Sequence, residues 1–315
     1  MFLAEAAAAA YNAQRSPSGS LTSEYSPPSV TTFDQELGFA LQPGARVVHT
    51  RKWSDTTLFR VTYTVSDAGV RQTRGNAQGD TWLFMGCSFT FGEGVEDHET
   101  LPSRFSEQLG WSANVVNLAF SGYGPHQMLR MLETGRLAGV RPPVKRVIYQ
   151  AISHHVTRVA GRAWFDLEGP AYKISGDTIR FAGPFHSSTW IQARKIVLAS
   201  DLGKVLNQRY RPPSDAEIEL YARIVEKAAA LFQKELGAPF SILFWDNDEN
   251  PTAKRIYDRL VATGLPVIRT TSFLTRRELD SLQIPHDRHP TPEVYQRLAA
   301  GLAAHFGETS GNKAR

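Results

Sequence analysis

Ser88 stands in Gly86-Cys87-Ser88, directly after the apolar run Trp82-Leu83-Phe84-Met85. A short apolar run ended by glycine reads as a buried parallel strand, and open α/β sheets place their ligands at the carboxyl ends of such strands. A serine hydroxyl there is a candidate nucleophile, but serine is weak by itself. It needs a base, a group to orient that base, and donors for the oxyanion that forms on the attacked carbonyl. The base is offered far along the chain, in Ile284-Pro285-His286-Asp287-Arg288-His289-Pro290. There Asp287 and His289 share one tight loop, a carboxylate beside an imidazole that it can hold in one tautomer.

Other residues invite other chemistry. Cys87 is the only cysteine, which excludes an intramolecular disulfide and a cysteine-rich metal site. As a rival nucleophile it is weighed against a plainer role, that of a small buried hydrophobe. His154, His155, His286 and His289 would have to converge to hold a metal, and no His-Glu-x-x-His helix is present. Thr90 stands where the Gly-x-Ser-x-Gly elbow needs its second glycine. Gly92-Glu93-Gly94 lacks the Gly-Lys-Ser/Thr ending of a phosphate loop and is read as shaping the turn after Ser88. Asp246, at a strand end, is a spare acid with a turn or cap role.

The elements that must position these groups alternate strand and helix. Strands are expected at 82–85, 115–119, 146–152, 240–245 and 266–269. Helices are expected at 100–110, 125–137, 215–236, 253–262 and 292–306. Five strands separated by helices imply an α/β fold, a doubly wound three-layer α/β/α arrangement around a five-stranded parallel sheet. Residues 1–33 read as a flexible lead or linker, 34–80 as a small β-rich N-terminal extension, and 81–310 as the catalytic domain. An insertion at about 162–200 carries a β-hairpin around Gly176-Asp177, placed as a lid or specificity wall. The 315 residues are 42% apolar with net charge +4, and the basic residues are scattered. No nucleic-acid motif appears, and that balance leans toward an acidic partner such as an anionic polysaccharide. The Ala-rich start has an early Glu and no basic region, so neither a signal peptide nor a membrane span is expected. An extracytoplasmic setting is favoured if the chain belongs to a longer protein.

Over residues 80–306 the chain resembles the SGNH or GDSL-like serine hydrolases. Gly86-Cys87-Ser88 is similar to their first block, Asn117-Leu118-Ala119-Phe120-Ser121-Gly122 to the block that supplies a glycine, and Asp287-Arg288-His289 to the last. The resemblance implies a flavodoxin-like SGNH fold, Ser88 as nucleophile, His289 as base, Asp287 as its acid, and the N–H groups of Ser88 and Gly122 in the oxyanion hole. Where the family's third block carries an Asn donor, this chain runs into Ser153-His154-His155, so His154 or His155 would have to replace it. The acid stands two residues before the histidine instead of three, with His286 in the minus-three place. The implied activity is ester hydrolysis through an acyl-enzyme on a small-molecule or polysaccharide ester, O-acetyl groups of carbohydrates above all, with no cofactor and no metal. The alternatives are a carbohydrate O-acetyltransferase and a non-catalytic polysaccharide-binding or assembly protein.

Overall fold

The computed structural model describes residues 19–311 apart from 142, 164, 190–211 and 247–250. Its first part is antiparallel: β1 (Leu21–Ser26), β2 (Thr31–Asp34), β3 (Gly38–Leu41), β4 (Arg46–Trp53) and β5 (Thr56–Thr64). One sheet has the order β1-β4-β5, and β2 pairs with β3. Val47 and His49 of β4 and Phe59, Val61 and Tyr63 of β5 alternate inward, and all are buried. The strands therefore begin earlier than expected. β1 lies inside the 1–33 segment read as a flexible lead and β2 begins in it, because Leu21 to Ser26 finds a ladder along β4 that its polar composition did not advertise. Residues 1–18 of that lead lie outside the described residues.

The second part alternates as expected. In chain order it runs β6 (Thr81–Met85), α1 (Ser88–Phe91), α2 (Leu101–Gln108), β7 (Asn114–Asn117), α3 (Pro125–Glu133), β8 (Val144–Ala151) and α4 (His154–Val159). The β9 (Pro170–Ser175) and β10 (Thr178–Pro184) hairpin follows. It closes with α5 (Asp215–Leu236), β11 (Phe240–Phe244), α6 (Pro251–Val261), β12 (Val267–Arg269), α7 (Arg276–Ser281) and α8 (Pro292–Gly311). All pairings in the central sheet are parallel, in the order β12-β11-β8-β6-β7. Numbered within the sheet this is 2-1-3-4-5, the flavodoxin-like order, whose direction switches between β6 and β8.

Both faces of the sheet are covered because alternate residues of each strand feed opposite layers. Leu83 and Met85 join Val147, Tyr149 and Ile242 beneath α3, α5 and α6. Trp82 and Phe84 join Ile148 and Leu243 beneath α2 and α8. The long helix α5 starts on a capping box between Ser214 and Glu217 and stops on Gly237 in the left-handed region. The five-stranded three-layer architecture is thus the expected one.

Two local readings change. The β9–β10 hairpin packs on the helical layer: Tyr172 Oη donates to Glu133 at 2.6 Å, and Lys227 Nζ donates to the Ile179 carbonyl at 3.2 Å. That seats the hairpin on α3 and α5, and it lines no part of the cavity that takes in Phe89 and Asp287, so the hairpin itself is not a lid over that cavity. Of the rest of the insertion, Phe165 packs beside Gly122, and residues 164 and 190–200 lie outside the described residues. His154 and His155 do not continue a strand either; they open α4, where neighbours diverge by about 100° around the axis.

Candidate active site

Ser88 is held by what surrounds its turn. Gly86 has φ +157°, and a Cβ there would meet Thr90 Oγ1 at 2.2 Å and the Gln150 carbonyl oxygen at 3.2 Å. Only glycine lets β6 turn this sharply into α1. Thr90 Oγ1 donates to Gln150 Oε1 of β8 at 2.8 Å, fastening α1 to the next strand. Asn117 Nδ2 donates to the Thr90 carbonyl at 3.2 Å from the other side. Below the turn lies Arg71, fully buried. Its guanidinium donates to the carbonyls of Phe91, Gly92 and Val95 at 2.6, 2.5 and 2.6 Å and to Asp97 Oδ1 at 3.0 Å. Loop 91–95 is thereby collected around one cation. Cys87 is fully buried among apolar side chains, the plain role, and no reagent reaches its thiol without opening the core.

The second loop brings its imidazole to the first. His289 Nε2 lies 2.8 Å from Ser88 Oγ, and His289 Nδ1 lies 2.5 Å from Asp287 Oδ1. The two-residue spacing works because the backbone folds tightly. His286 and Arg288 both take left-handed φ, +62° and +70°, while Arg288 N donates to the Ile284 carbonyl and Ile284 N to that of His289. Each such residue costs about 1–2 kcal/mol. His286, in the minus-three place, turns outward and stacks on Trp53 at 4.3 Å with parallel planes. Asp287, then, is the acid that meets the imidazole.

Two more charged groups close the ring, and neither was singled out from the sequence. Arg51 of β4 forms an ion pair with Asp287, Nε to Oδ2 at 3.0 Å, without hydrogen-bond alignment. Its Nη1 lies 3.6 Å from Glu93 Oε1. Glu93 Oε2 accepts from Ser121 Oγ at 2.7 Å and lies 3.9 Å from His289 Nε2. Burial raises the carboxyl pKa of Asp287, but the His289 hydrogen bond and charge and the Arg51 charge outweigh it, so the net shift is downward. Burial likewise opposes the charged imidazole of His289. Glu93 and then Asp287 overcome that, so its pKa ends above the usual 6.5. Glu93, Asp287 and His289 bring ligand-type atoms within 4.8 Å of one another. The Arg51 guanidinium beside both carboxylates already supplies the positive charge a metal ion would bring.

The expected oxyanion residues separate. Gly122 has φ +90°, and a Cβ there would lie 3.1 Å from both Phe165 Cε2 and Phe39 Cζ. Glycine is required for the backbone conformation as well as for space. His155 is a core residue: fully buried, its Nδ1 at 2.6 Å from Tyr149 Oη, and driven by burial well below the usual imidazole pKa. It does not reach the cleft, since the first turn of α4 aims it into the helical layer. His154, one residue earlier, is exposed and lines a cavity of about 800 Å3 that reaches the site through Phe89 and Asp287 and is lined by neither Ser88 nor His289. Phe89, Trp245, Gln283, Asp287 and Arg288 line the same cavity. The four imidazoles weighed as metal ligands therefore do not converge. Asp246 is consumed by its own turn, accepting from Thr270, Thr271 and Arg269.

Arg51 lies in a strand of ordinary composition and Arg71 in a polar stretch just past a turn, so no local signal marked them. Glu93 was visible between two glycines and read only as part of a turn.

No family model matches the chain, and no curated protein matches it. Solved structures do. The chain is similar to a member of the lipolytic protein G-D-S-L family from Veillonella parvula, with 12% identity over 72% of this chain and 97% of that one and a TM-score of 0.43. It is similar to the psychrotrophic esterase EstA from Pseudoalteromonas sp., with 10% identity over 74% and 99% and a TM-score of 0.41. A carbohydrate acetylesterase family member from Sinorhizobium meliloti matches with 12% identity over 74% and 99% and a TM-score of 0.39.

Proposed function

We propose that this chain is an SGNH-like serine ester hydrolase acting through an acyl-enzyme. One observation carries the reading: Ser88 Oγ, His289 Nε2, His289 Nδ1 and Asp287 Oδ1 form a continuous line with steps of 2.8 and 2.5 Å. In the first half-reaction His289 takes the Ser88 proton as Oγ attacks the acyl carbonyl carbon. Asp287 holds the imidazole in the tautomer that can accept at Nε2 and stabilises it once charged. The negative oxygen of the tetrahedral intermediate is met by the N–H groups of Ser88 and Gly122, with His154 as the side-chain donor from the cleft. Collapse expels the alcohol, which leaves with the proton from His289. Water then attacks the acyl-serine by the same route and releases the acid.

The alcohol is a carbohydrate, carried as an O-acetyl or other O-acyl ester. What supports this is the cleft: aromatic Trp245 and Phe89 beside the hydrogen-bonding Ser153, His154, Gln283 and Arg288 suit a polyhydroxylated ring better than a long alkyl chain. The test is incubation with p-nitrophenyl acetate, with an O-acetylated polysaccharide, and with a serine-directed fluorophosphonate. Release of nitrophenol and acetate with one label on Ser88 is the expected result. No turnover and no label would leave a non-catalytic polysaccharide-binding protein. Transfer of acetyl to an added sugar in preference to water would make it a transferase.

A further inference from the structure

Glu93 has no part in the Ser88–His289–Asp287 line, yet it occupies a distinctive place. Its Oε2 lies 3.9 Å from the same Nε2 that faces Ser88, so the imidazole sits between two carboxylates, one at each ring nitrogen. The side chain is only 12% exposed, and two contacts hold it. Ser121, the residue before Gly122, donates to Oε2, and Arg51 lies 3.6 Å from Oε1. The same Arg51 pairs with Asp287, so one guanidinium spans both acids. The loop that bears Glu93 is anchored on Arg71, and the Gly94 N–H donates to Tyr63 Oη at 3.0 Å, which leaves the carboxylate little freedom to withdraw.

We propose that Glu93 is a positioning residue of this site, a second carboxylate that stabilises the protonated His289 from the Nε2 side while Arg51 ties it to Asp287. This rests on the ester-hydrolase reading of the same residues. As Ser88 gives up its proton, positive charge appears on a ring whose Asp287 side is shared with Arg51, and Glu93 supplies a compensating charge on the side where the proton arrives. The proton stays on His289 until the alcohol leaves; Glu93 does not take it. The charged and titratable groups around the ring are Asp287 on its own loop, Glu93 after α1, and Arg51 and His49 on β4.

The test reads His289 itself. Its imidazole 15N titration is followed by NMR, the resonance identified by its loss in His289→Gln. Glu93→Gln keeps the acceptor for Ser121 and removes the charge; the His289 midpoint is expected to move to lower pH. Ser121→Ala removes the hydrogen bond and keeps the charge; the midpoint is expected to stay. Arg51→Gln removes the opposing cation; the midpoint is expected to rise. In ester turnover, Glu93→Gln moves the acidic limb of kcat/KM to lower pH and lowers the plateau by about three- to tenfold. A midpoint unchanged in Glu93→Gln, or moved as far by Ser121→Ala, overturns the proposal. A lower His289 midpoint in Glu93→Gln together with no ester turnover by the wild type retains the Glu93 coupling and loses the hydrolase reading.

Discussion

Two histidine–carboxylate pairs in this molecule have nearly the same contact and opposite surroundings. His126 Nε2 lies 2.7 Å from Asp166 Oδ2, and both side chains are at most 1% exposed. Gln127 donates to the same carboxylate at 2.9 Å, joining the start of α3 to the segment before the hairpin. His289 and Asp287 stand instead at the cleft, with Ser88 Oγ on the free nitrogen, Arg51 behind the acid and Glu93 beside the ring. An imidazole–carboxylate contact is therefore not itself a site. What distinguishes the second pair is a hydroxyl on the other nitrogen, access to a cavity, and charges that bear on both protonation states.

The difference is open to attack. Ser88→Ala removes the hydroxyl; kcat/KM for p-nitrophenyl acetate is expected to fall by about 10^4–10^6-fold while the melting temperature holds. Cys87→Ala is the control, expected to keep turnover within about tenfold, and a reversed outcome would move the nucleophile to Cys87. Asp287→Asn leaves the packing and loses the charge. Turnover should drop by about 10^4-fold, with Arg51 left facing an amide. The buried pair answers to a different measurement: His126→Gln is expected to lower unfolding free energy in urea by about 3 kcal/mol with kcat nearly unchanged. A large loss of kcat there would erase the contrast. The smallest effect is His286→Ala, which removes the stack on Trp53 and should cost about 1 kcal/mol of stability and less than threefold in kcat.

pH separates the activity of this pair from its contribution to stability. His289 works as a base only when neutral, so kcat/KM climbs through its titration, whose midpoint lies above 6.5. The sign for stability is the reverse. A histidine whose folded pKa is raised contributes stability fully below its unfolded pKa and loses it as pH rises through the folded one. Asp287, shifted down, contributes above its unfolded pKa and loses that as pH falls through its folded one. The charged pair thus supports the fold most between those limits, in mildly acidic solution, and turnover peaks on the far side. Urea unfolding of wild type and His289→Gln at pH 5.5 and 8.5 measures this, and equal stability differences at the two pH values would contradict it.

Much of the architecture was legible because it is local. Trp82 to Met85 is a four-residue apolar run between Thr81 and Gly86, and such a run has few other places to go than the middle of a parallel sheet. Ser88, His289 and Asp287 were legible as candidates because glycine, serine and a tight Asp-x-His turn are chemical signals that survive without neighbours. The division of labour between His154 and His155 was not. It depends on a helix starting at residue 154, which neither histidine announces, and on Tyr149 waiting behind it. Arg51 and Arg71 were invisible for a related reason: one lies in an ordinary strand and the other just past a turn, and the importance of each comes from loops twenty or more residues away that fold against it.

Ser88 and His289 are 201 residues apart in sequence, and the groups that hold them include Arg51 and Arg71 from before β6 and Asp287 from after β12. During synthesis the nucleophile, its glycine turn and the Arg71 anchor all emerge before the base exists. A partly made chain therefore has a serine loop but nothing to activate it, and the contact that arms it joins segments separated by most of the parallel sheet. Acquisition of turnover during refolding should accordingly be a late event, trailing the formation of the sheet, so that activity reports on completion of the fold and not merely on its beginning.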